Sequence, residues 1–114
     1  MSYRVLVCPR AQRQIRSLAV RDRNRLKVRI LDLGRDPRPP DAVAMREVRR
    51  AYRIRIGDFR IVYTVHEGTV TILILQVAHR RESYRRSDVD AMDRDARQWL
   101  AEQEAETRQE DQAG

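Results

Sequence analysis

Apolar and polar residues alternate between positions 51 and 78, and this pattern limits the possible folds more than any other part of the sequence. Three segments have the period of two that is typical of β-strands: 51–56, 59–66 and 69–78. Gly57-Asp58 fits a two-residue type II′ hairpin turn, and Glu67-Gly68 resembles the Asp-Gly class of turn. The sequence therefore predicts an antiparallel meander. Its last strand is apolar on both sides, as is typical of a central strand covered on both faces.

The first forty residues have the pattern of a short strand followed by two short helices. Residues 3–7 alternate, and Pro9 suits the first turn of a helix. A second helix is expected from an N-cap at Asp22 to a stop at Gly34. Each helix has one apolar stripe, formed by Ala11, Ile15 and Leu18 in the first and by Leu26, Ile30 and Leu33 in the second.

A weak strand at 45–48 completes the expected elements before the meander. Together they predict an α+β fold. A small twisted antiparallel β-sheet would carry the N-terminal helical hairpin on one face, and a C-terminal helix would follow.

The expected turn at Gly57-Asp58 sets the register of its two strands. An apolar face for the helices then forms from the pairs Tyr52–Tyr63, Ile54–Ile61 and Ile56–Phe59. On the other face Arg55 lies opposite Arg60, with Arg53 two residues along the strand. Like charges directly opposed across a sheet are destabilising by about 0.2–1 kcal/mol per pair. A solvated edge would tolerate them, but a bound anion would relieve the repulsion, so we favour a polyanion-binding patch.

The segment directly after the last strand, 77–86, adds further cations and two candidate functional side chains. It contains four arginines together with a histidine and a tyrosine: Arg80, Arg81, Arg85, Arg86, His79 and Tyr84. Tyrosine can stack on a nucleic-acid base, and histidine titrates near neutral pH. Taken singly, His79 could be a surface residue and Tyr84 could pack over the sheet edge. Beside an arginine patch, both become candidates for function.

Charge divides the chain near Ser87. Residues 1–86 contain 21 basic and 8 acidic side chains, a net charge of +13, whereas residues 87–114 contain 3 basic and 9 acidic ones, a net charge of −6. The overall net charge of +7 favours a polyanionic partner, either nucleic acid or an acidic protein. We therefore expect a basic domain over 1–86 and an acidic helical extension over 87–114.

The acidic extension has the pattern of one amphipathic helix over about 88–106, followed by a frayed tail. Ser87 and Asp90 resemble a capping box at its start. Its apolar stripe consists of Val89, Met92, Ala96, Trp99 and Leu100. Three roles remain open: a solubilising helix on the sheet edge, an acidic segment folded over the basic surface like RNA or an antitoxin, or a dimerisation helix.

The scarcity of cysteine and histidine argues against several kinds of site. The chain has one cysteine, Cys8, and two histidines, His66 and His79. A disulfide framework and a clustered metal site are therefore not expected. No apolar run approaches the ~20 residues of a membrane span, and the N-terminus lacks the layout of a secretory signal. We expect a cytoplasmic protein with no membrane association and no metal or organic cofactor.

Two motifs of the basic domain are recognisable, YRIRIGDFRIVY at residues 52–63 and VAHRRESY at residues 77–84. Together they resemble the RelE/ParE superfamily of toxins from bacterial type II toxin–antitoxin systems. The resemblance covers residues 3–86. It implies a twisted antiparallel sheet with a helical hairpin on one face, which agrees with the fold expected from the residue pattern.

A RelE-type member is implied to be a ribosome-dependent endoribonuclease that cuts mRNA in the A site. The 2′-OH would attack the adjacent phosphate, leaving a 2′,3′-cyclic phosphate and a 5′-OH end. The implied partners are a cognate antitoxin and the ribosome with its A-site mRNA. The resemblance assigns a basic pair at Arg53 and Arg55, a phosphate-binding residue at Arg60, two residues of the closing motif at Arg80 and Tyr84, and an RNA-binding residue at Arg46. His79 is a further catalytic candidate, and Arg81 and Arg85 are further RNA-binding candidates.

One departure from the family leaves the catalytic base open. Well-known RelE enzymes carry lysines where this chain has Arg53 and Arg55. Arginine stays charged at any working pH and cannot readily accept a proton. His79 or Tyr84 could take part instead, or charge stabilisation on the ribosome could suffice. Glu47 and Glu82 are weaker candidates.

The main alternative is a ParE-like toxin, which shares the fold but inhibits DNA gyrase and lacks nuclease activity. Such toxins usually have a longer helical hairpin, whereas residues 19–21 link two short helices here. The short hairpin and the full set of arginines favour the RelE type. An inactive antitoxin-binding homologue is a further alternative, and a homodimer or a toxin–antitoxin hetero-oligomer is possible.

Overall fold

Five strands and three helices form the α+β fold that the sequence predicts. The computed structural model describes residues 2–82 and 84–113. The strands are β1 (Arg4–Val7), β2 (Val43–Met45), β3 (Ala51–Ile56), β4 (Phe59–His66) and β5 (Thr71–His79). The helices are α1 (Pro9–Arg16), α2 (Val20–Arg35) and α3 (Arg86–Ala113).

The strands form one sheet in the order β1-β5-β4-β3-β2. The strands β2 to β5 are antiparallel neighbours as expected, but β1 runs parallel to β5, with Arg4 opposite Thr71. The expectation of a wholly antiparallel sheet is therefore wrong at this strand. A period of two identifies a strand but not its direction, which depends here on the pairing of β1 with β5, a strand distant in the sequence. The weak strand expected at 45–48 lies slightly earlier, at Val43–Met45.

The hairpin between β3 and β4 has the expected register. Tyr52 lies opposite Tyr63, and Arg55 lies opposite Arg60. Gly57 has a φ of 58°, as the first central residue of a type II′ turn requires. The two faces of this hairpin are thus the ones that the sequence predicts, one apolar and one rich in arginine.

The connection between β4 and β5 is longer than the expected two-residue turn. It spans residues 67–70, so β5 begins at Thr71. Val70 has a φ of 51°, and its carbonyl accepts a hydrogen bond of 2.9 Å from the amide of Arg4. Its left-handed conformation and the 3.2 Å hydrogen bond from its amide to the Glu67 carbonyl place Val70 in the turn, outside the ladder with β4.

The helices α1 and α2 form the expected hairpin and pack on one face of the sheet. Leu26 and Ile30 of α2 contact a core that includes Ile54, Tyr63 and Ile74. Removal of these apolar side chains from water is the main stabilising contribution. The helix α2 begins two residues before the expected N-cap, and its cap residue makes no side-chain hydrogen bond. The acidic residue expected as the cap instead lies in the first turn, where the helix dipole favours its charge.

Gly34 lies inside α2, rather than ending it as expected. A Cβ atom at this position would lie 3.0 Å from the carbonyl oxygen of Tyr3 and 3.1 Å from Cγ2 of Val5. The Tyr3 amide donates a hydrogen bond of 2.6 Å to the Gly34 carbonyl. Glycine is needed here because α2 approaches the start of β1 closely.

The helix α3 covers the opposite face, so that β5 is buried on both sides as its sequence predicts. Met92 and Ala96 of α3 pack against Val62, Leu73 and Leu75 of the sheet. Most of the expected apolar stripe faces the sheet: Met92 and Ala96 are buried, Val89 and Trp99 are partly buried against them, and Leu100 lies outside this core.

The ends of α3 differ from the expected ones. The helix runs from Arg86 to Ala113 instead of over 88–106. The expected capping box of Ser87 and Asp90 is wrong, because Oδ2 of Asp88 accepts a hydrogen bond of 3.2 Å from the amide of Arg85. Asp88, in the first turn of α3, therefore provides the cap. Gly114, the last residue of the expected tail, lies outside the described residues.

Asp88 also connects α3 to α1 through a partly buried salt bridge of 2.6 Å with Arg10. In the described parts of the chain, no salt bridge joins α3 to the arginines of β3 and β4. The helix α3 therefore lies on the sheet mainly through apolar contacts, and the acidic side chains that the structure describes in it do not pair with those arginines. No described helix is long and apolar enough to cross a membrane.

His66, the last residue of β4, is buried at 4% exposure beneath α3. Its Nε2 lies 2.8 Å from the hydroxyl oxygen of Thr64, and its ring centroid lies 4.7 Å from that of Trp99. Burial lowers the pKa of His66 below its usual value of 6.5, and the charge of Arg50 lowers it further. The folded protein therefore disfavours protonation of this ring.

We expect the free energy of unfolding to fall as the pH drops below about 6.5. Below this pH the unfolded chain binds a proton at His66 that the folded chain binds less readily, whereas at higher pH both states are neutral. Urea unfolding between about pH 5 and pH 8 measures the slope. The variant His66→Asn should reduce it, and an unchanged slope in that variant would contradict the assignment.

Replacement of Met92 by alanine tests whether α3 is an integral part of the core. Met92 is fully buried, so Met92→Ala should lower the free energy of unfolding by about 2–5 kcal/mol. Gln98→Ala, at an exposed position of the same helix, should change it by about 0.5 kcal/mol or less. Urea denaturation of both variants makes the comparison. Equal stabilities would show that α3 is only loosely attached.

Candidate nucleic-acid interface

Five arginines line an open hollow of about 480 Å³ on the sheet face that also carries α3. They come from β3, from β4 and from the segment that follows β5. We call this surface the arginine hollow; its lining residues are Arg53, Arg55, Arg60, Arg80 and Arg81. All five belong to the set that the sequence singles out, and the structure brings them together.

The alternation of β3 places two arginines of the hollow beside its neighbour on β4. Arg53 and Arg55 are exposed and point to the same face, and Arg55 lies directly opposite Arg60. Arg55 makes one long hydrogen bond, 3.4 Å from its Nε to the carbonyl of Gly57. Its remaining donors face solvent. Such a cluster attracts anions, because a phosphate placed between the cations offsets their mutual repulsion.

Arg60 differs from its neighbours because it is half-buried and bonded to the backbone. One terminal nitrogen donates to the carbonyl oxygen of Arg80 and, at 2.6 Å, to that of Glu82. The guanidinium carbon lies 5.1 Å from the ring centroid of Tyr84. Arg60 therefore holds the segment after β5 in place, in addition to contributing charge to the hollow.

Tyr84 lies under Arg60 and contacts the core beneath α3. Its hydroxyl is buried and has no hydrogen-bond partner among the described residues. Burial raises the pKa of Tyr84, the charges of Arg60 and Arg53 lower it, and the charge of Glu47 raises it. The net shift is upward, so the phenol keeps its proton at neutral pH and is a hydrogen-bond donor.

His79 does not join the arginine hollow. The strand register places it opposite Phe59, with the ring centroids 5.9 Å apart in an edge-to-face arrangement. Phe59 belongs to the core on the opposite face of the sheet. Nδ1 of His79 accepts a hydrogen bond of 3.2 Å from the amide of Arg81, so the proton of the neutral ring is on Nε2.

Two other expected RNA-binding residues lie outside the lining of the hollow. Arg46 is exposed in the segment between β2 and β3, and Arg85 is exposed just before α3.

Asp58 contacts a residue of the hollow, Arg80, and the sequence pattern does not single it out. Its side chain lies 3.5 Å from Nε of Arg80, and its carbonyl accepts a 2.7 Å hydrogen bond from the Arg80 amide. The expected turn contains Asp58, but its contact with Arg80 depends on where β5 ends.

Among the described residues no group of three His, Cys, Asp or Glu side chains could hold a metal ion.

The chain belongs to the ParE toxin family of type II toxin–antitoxin systems. The sequence model of this family, the ParE toxin of the parDE system, matches residues 5–84. This range contains the arginine hollow and leaves α3 outside. The protein is thus a toxin of the RelE/ParE superfamily, as its two motifs indicate.

Particular relatives are RelE-type toxins. The toxin RelG of Mycobacterium tuberculosis is 34% identical over 77 residues, which cover 60% of this chain and 88% of RelG. A chain of the M. tuberculosis toxin–antitoxin complex RelBE2 is 26% identical with a TM-score of 0.63, covering 72% of this chain and 95% of that chain. The RelE–RelB complex of Pyrococcus horikoshii contains a chain that is 26% identical with a TM-score of 0.64; the match covers 73% of this chain and 100% of that chain.

Substitution of Arg60 tests its structural role in the hollow. Arg60→Ala removes two hydrogen bonds to backbone carbonyls and the contact with Tyr84, and should lower the free energy of unfolding by about 1–3 kcal/mol. Arg55→Ala is the matched control. It removes the charge directly opposite and should change stability by about 1 kcal/mol or less. Urea unfolding gives both values, and a loss confined to Arg55→Ala would contradict the role of Arg60.

Proposed function

We propose that this chain is a RelE-type toxin that binds mRNA at the arginine hollow and cleaves it on the ribosome, in the cytoplasm. The observation that carries the proposal is the convergence of five arginines beside a buried, neutral tyrosine. Similarity to RelG and to the RelE chain of the P. horikoshii complex supports the same interpretation. The reaction would be a transphosphorylation that needs no metal.

The arginines supply the electrostatic part of this chemistry. Attack of the 2′-OH on the adjacent phosphate puts extra negative charge on the non-bridging oxygens. Arg53, Arg55 and Arg81 have exposed donors that could bind these oxygens, and the planar guanidinium group suits bidentate contacts to phosphate. Arg60 acts mainly as a positioning residue, because the backbone carbonyls occupy one of its nitrogens.

The proton transfers are assigned to Tyr84 and Glu47. Tyr84 remains protonated, and its buried hydroxyl must become accessible when RNA binds; it would then donate a proton to the 5′ oxygen as the P–O5′ bond breaks. A carboxylate must then take the proton of the 2′-OH as the new O2′–P bond forms. Glu47 is our candidate because it is exposed and its charge raises the pKa of Tyr84, whereas His79 faces the other side of the sheet. The products are a 2′,3′-cyclic phosphate and a 5′-OH end.

We also propose a cognate antitoxin as a protein partner. The RelBE2 and P. horikoshii structures are both complexes of a toxin with an antitoxin. The net charge of +13 over residues 1–86 suits a partner with an acidic segment.

A second candidate function is inhibition of DNA gyrase. It is favoured by one observation, the match of residues 5–84 to the ParE toxin family. On this alternative the arginine hollow would bind an acidic protein surface or DNA, and Tyr84 would have no chemical role.

Expression of the toxin in growing cells separates the two functions. We expect cuts at a fixed codon position in mRNA, seen by mapping 5′ ends, and unchanged supercoiling of a reporter plasmid. Arg55→Ala should reduce cleavage by about 10²–10³-fold, because it removes charge stabilisation of the transition state. Tyr84→Phe and Glu47→Gln should each reduce it by about 10²–10⁴-fold, because the first variant removes the acid and the second removes the base.

Arg35→Ala is the matched control, because it removes an exposed charge from the end of α2 that lies beside Tyr3 and Val5, away from the hollow. This variant should cleave like the unmodified protein. Lost supercoiling with intact mRNA would refute the nuclease assignment and support the gyrase alternative.

A further inference from the structure

A second polar cavity lies on the same sheet face as the arginine hollow, at the other end of β3. It encloses about 260 Å³ between the segment before β3 and the middle of α3. Its polar lining consists of Arg49, Arg50, His66, Asp93, Arg97 and Glu104. Neither the family motifs nor the arginine hollow includes these residues.

The charges around this cavity favour an anion. The carboxylate of Asp93 accepts a hydrogen bond of 2.8 Å from Nε of Arg97, so these two charges offset each other. Arg49 and Arg50 then face the single remaining carboxylate of the lining, that of Glu104, and all three side chains are exposed. The net charge of the lining is therefore positive. Two of its cations come from the consecutive residues Arg49 and Arg50.

His66 provides a buried polar atom at this cavity. Its Nδ1 is buried and has no hydrogen-bond partner within the part of the chain that the structure describes. A buried donor or acceptor left without a partner is destabilising by about 1–3 kcal/mol. When the Thr64 hydroxyl donates to Nε2, the ring proton is on Nδ1, and a ligand oxygen there would satisfy it.

The backbone at Arg50 is also unusual. Arg50 has a φ of 63°, a left-handed conformation that is strained for a residue other than glycine. Its carbonyl accepts a hydrogen bond of 3.2 Å from the amide of Val65, which holds the strained residue beside His66. The strain thus occurs where two arginine side chains are directed to one cavity.

We propose that this cavity binds a phosphate group of the RNA strand whose scissile phosphate lies in the arginine hollow. The inference rests on the proposed function and extends it to a longer binding site. Arg50 lies directly before β3, three residues from Arg53 and five from Arg55, which at about 3.3 Å per residue separates the two sites by roughly 10–17 Å. Proteins that bind single strands commonly contact four or more nucleotides over such a surface. The exposed arginines at positions 46, 49, 50, 53 and 55 connect the sites along one edge of the sheet.

Binding of non-cleavable 2′-O-methyl RNA of two lengths tests the proposal with the full-length protein. The double variant Arg49→Ser/Arg50→Gly removes both cations, and glycine adopts the left-handed conformation without strain. An oligonucleotide of about nine residues should bind this variant about tenfold less tightly, whereas one of about three residues should be unaffected. The slope of log K against log salt for the long strand should become shallower by about 0.7 for each phosphate that the variant no longer neutralises.

The matched control is Arg21→Ala/Arg35→Ala, which removes two exposed cations from α2 on the opposite side of the sheet. Its effect on the long strand should be about twofold or less, because it changes the net charge of the protein but leaves both RNA sites intact. A second readout is the ¹⁵N shift of His66 Nδ1, which should move on addition of the long strand but not of the short one.

The outcomes separate this inference from the proposed function. If Arg55→Ala weakens both strands while Arg49→Ser/Arg50→Gly weakens neither, the arginine hollow binds RNA and the second site is refuted. If Arg55→Ala weakens neither strand, the proposed function and the second site fail together. A His66 shift with inorganic phosphate or a glutamate-rich peptide, without any effect of RNA length, would overturn the assignment to RNA.

Discussion

The burial of β4 and β5 on both faces is the constraint on which the rest of the fold depends. Nearly all side chains of these strands are inaccessible to solvent, so each face of the sheet must be covered. The helical hairpin covers one face, and α3 covers the part of the other face that carries no arginine. The arginine hollow is the remainder of that second face. Its position is therefore a consequence of which part of this face α3 covers.

Within the hollow, the opposed pair of Arg55 and Arg60 could be accommodated because the two residues have different partners. Arg60 turns toward backbone carbonyls and the face of Tyr84, which supply partial negative charge. Arg55 remains in solvent, where water screens its charge. Arg60 thus holds the site in place, while Arg55 remains available to bind an anion. The pattern of residue types alone does not reveal this difference between the two arginines.

The sequence predicts local geometry well and the connections between distant segments poorly. The Gly57 turn determines the register of β3 and β4, and alternation then determines which arginines share a face, so the hollow follows from local rules. The direction of β1 and the four-residue connection before Thr71 depend on pairing across the whole chain. His79 was expected beside the arginines, but its face depends on where β5 stands relative to β4. The cavity at His66 is formed by residues 49–50, 66 and several of 93–104, which are far apart in the sequence, and no motif signals it.

The length of α3 has a consequence for how the molecule meets its target. At about 1.5 Å per residue, 28 residues give a rod of roughly 42 Å, close to the 48 Å longest dimension of the protein. The apolar contacts of α3 with the sheet end at Trp99, and the helix continues past the cavity at Glu104, so its last acidic residues lie toward one end of the molecule. The protein consequently has a large electric dipole moment. Near a polyanion, the resulting torque turns the basic domain toward the polyanion and the C-terminal end of α3 away from it before any contact forms.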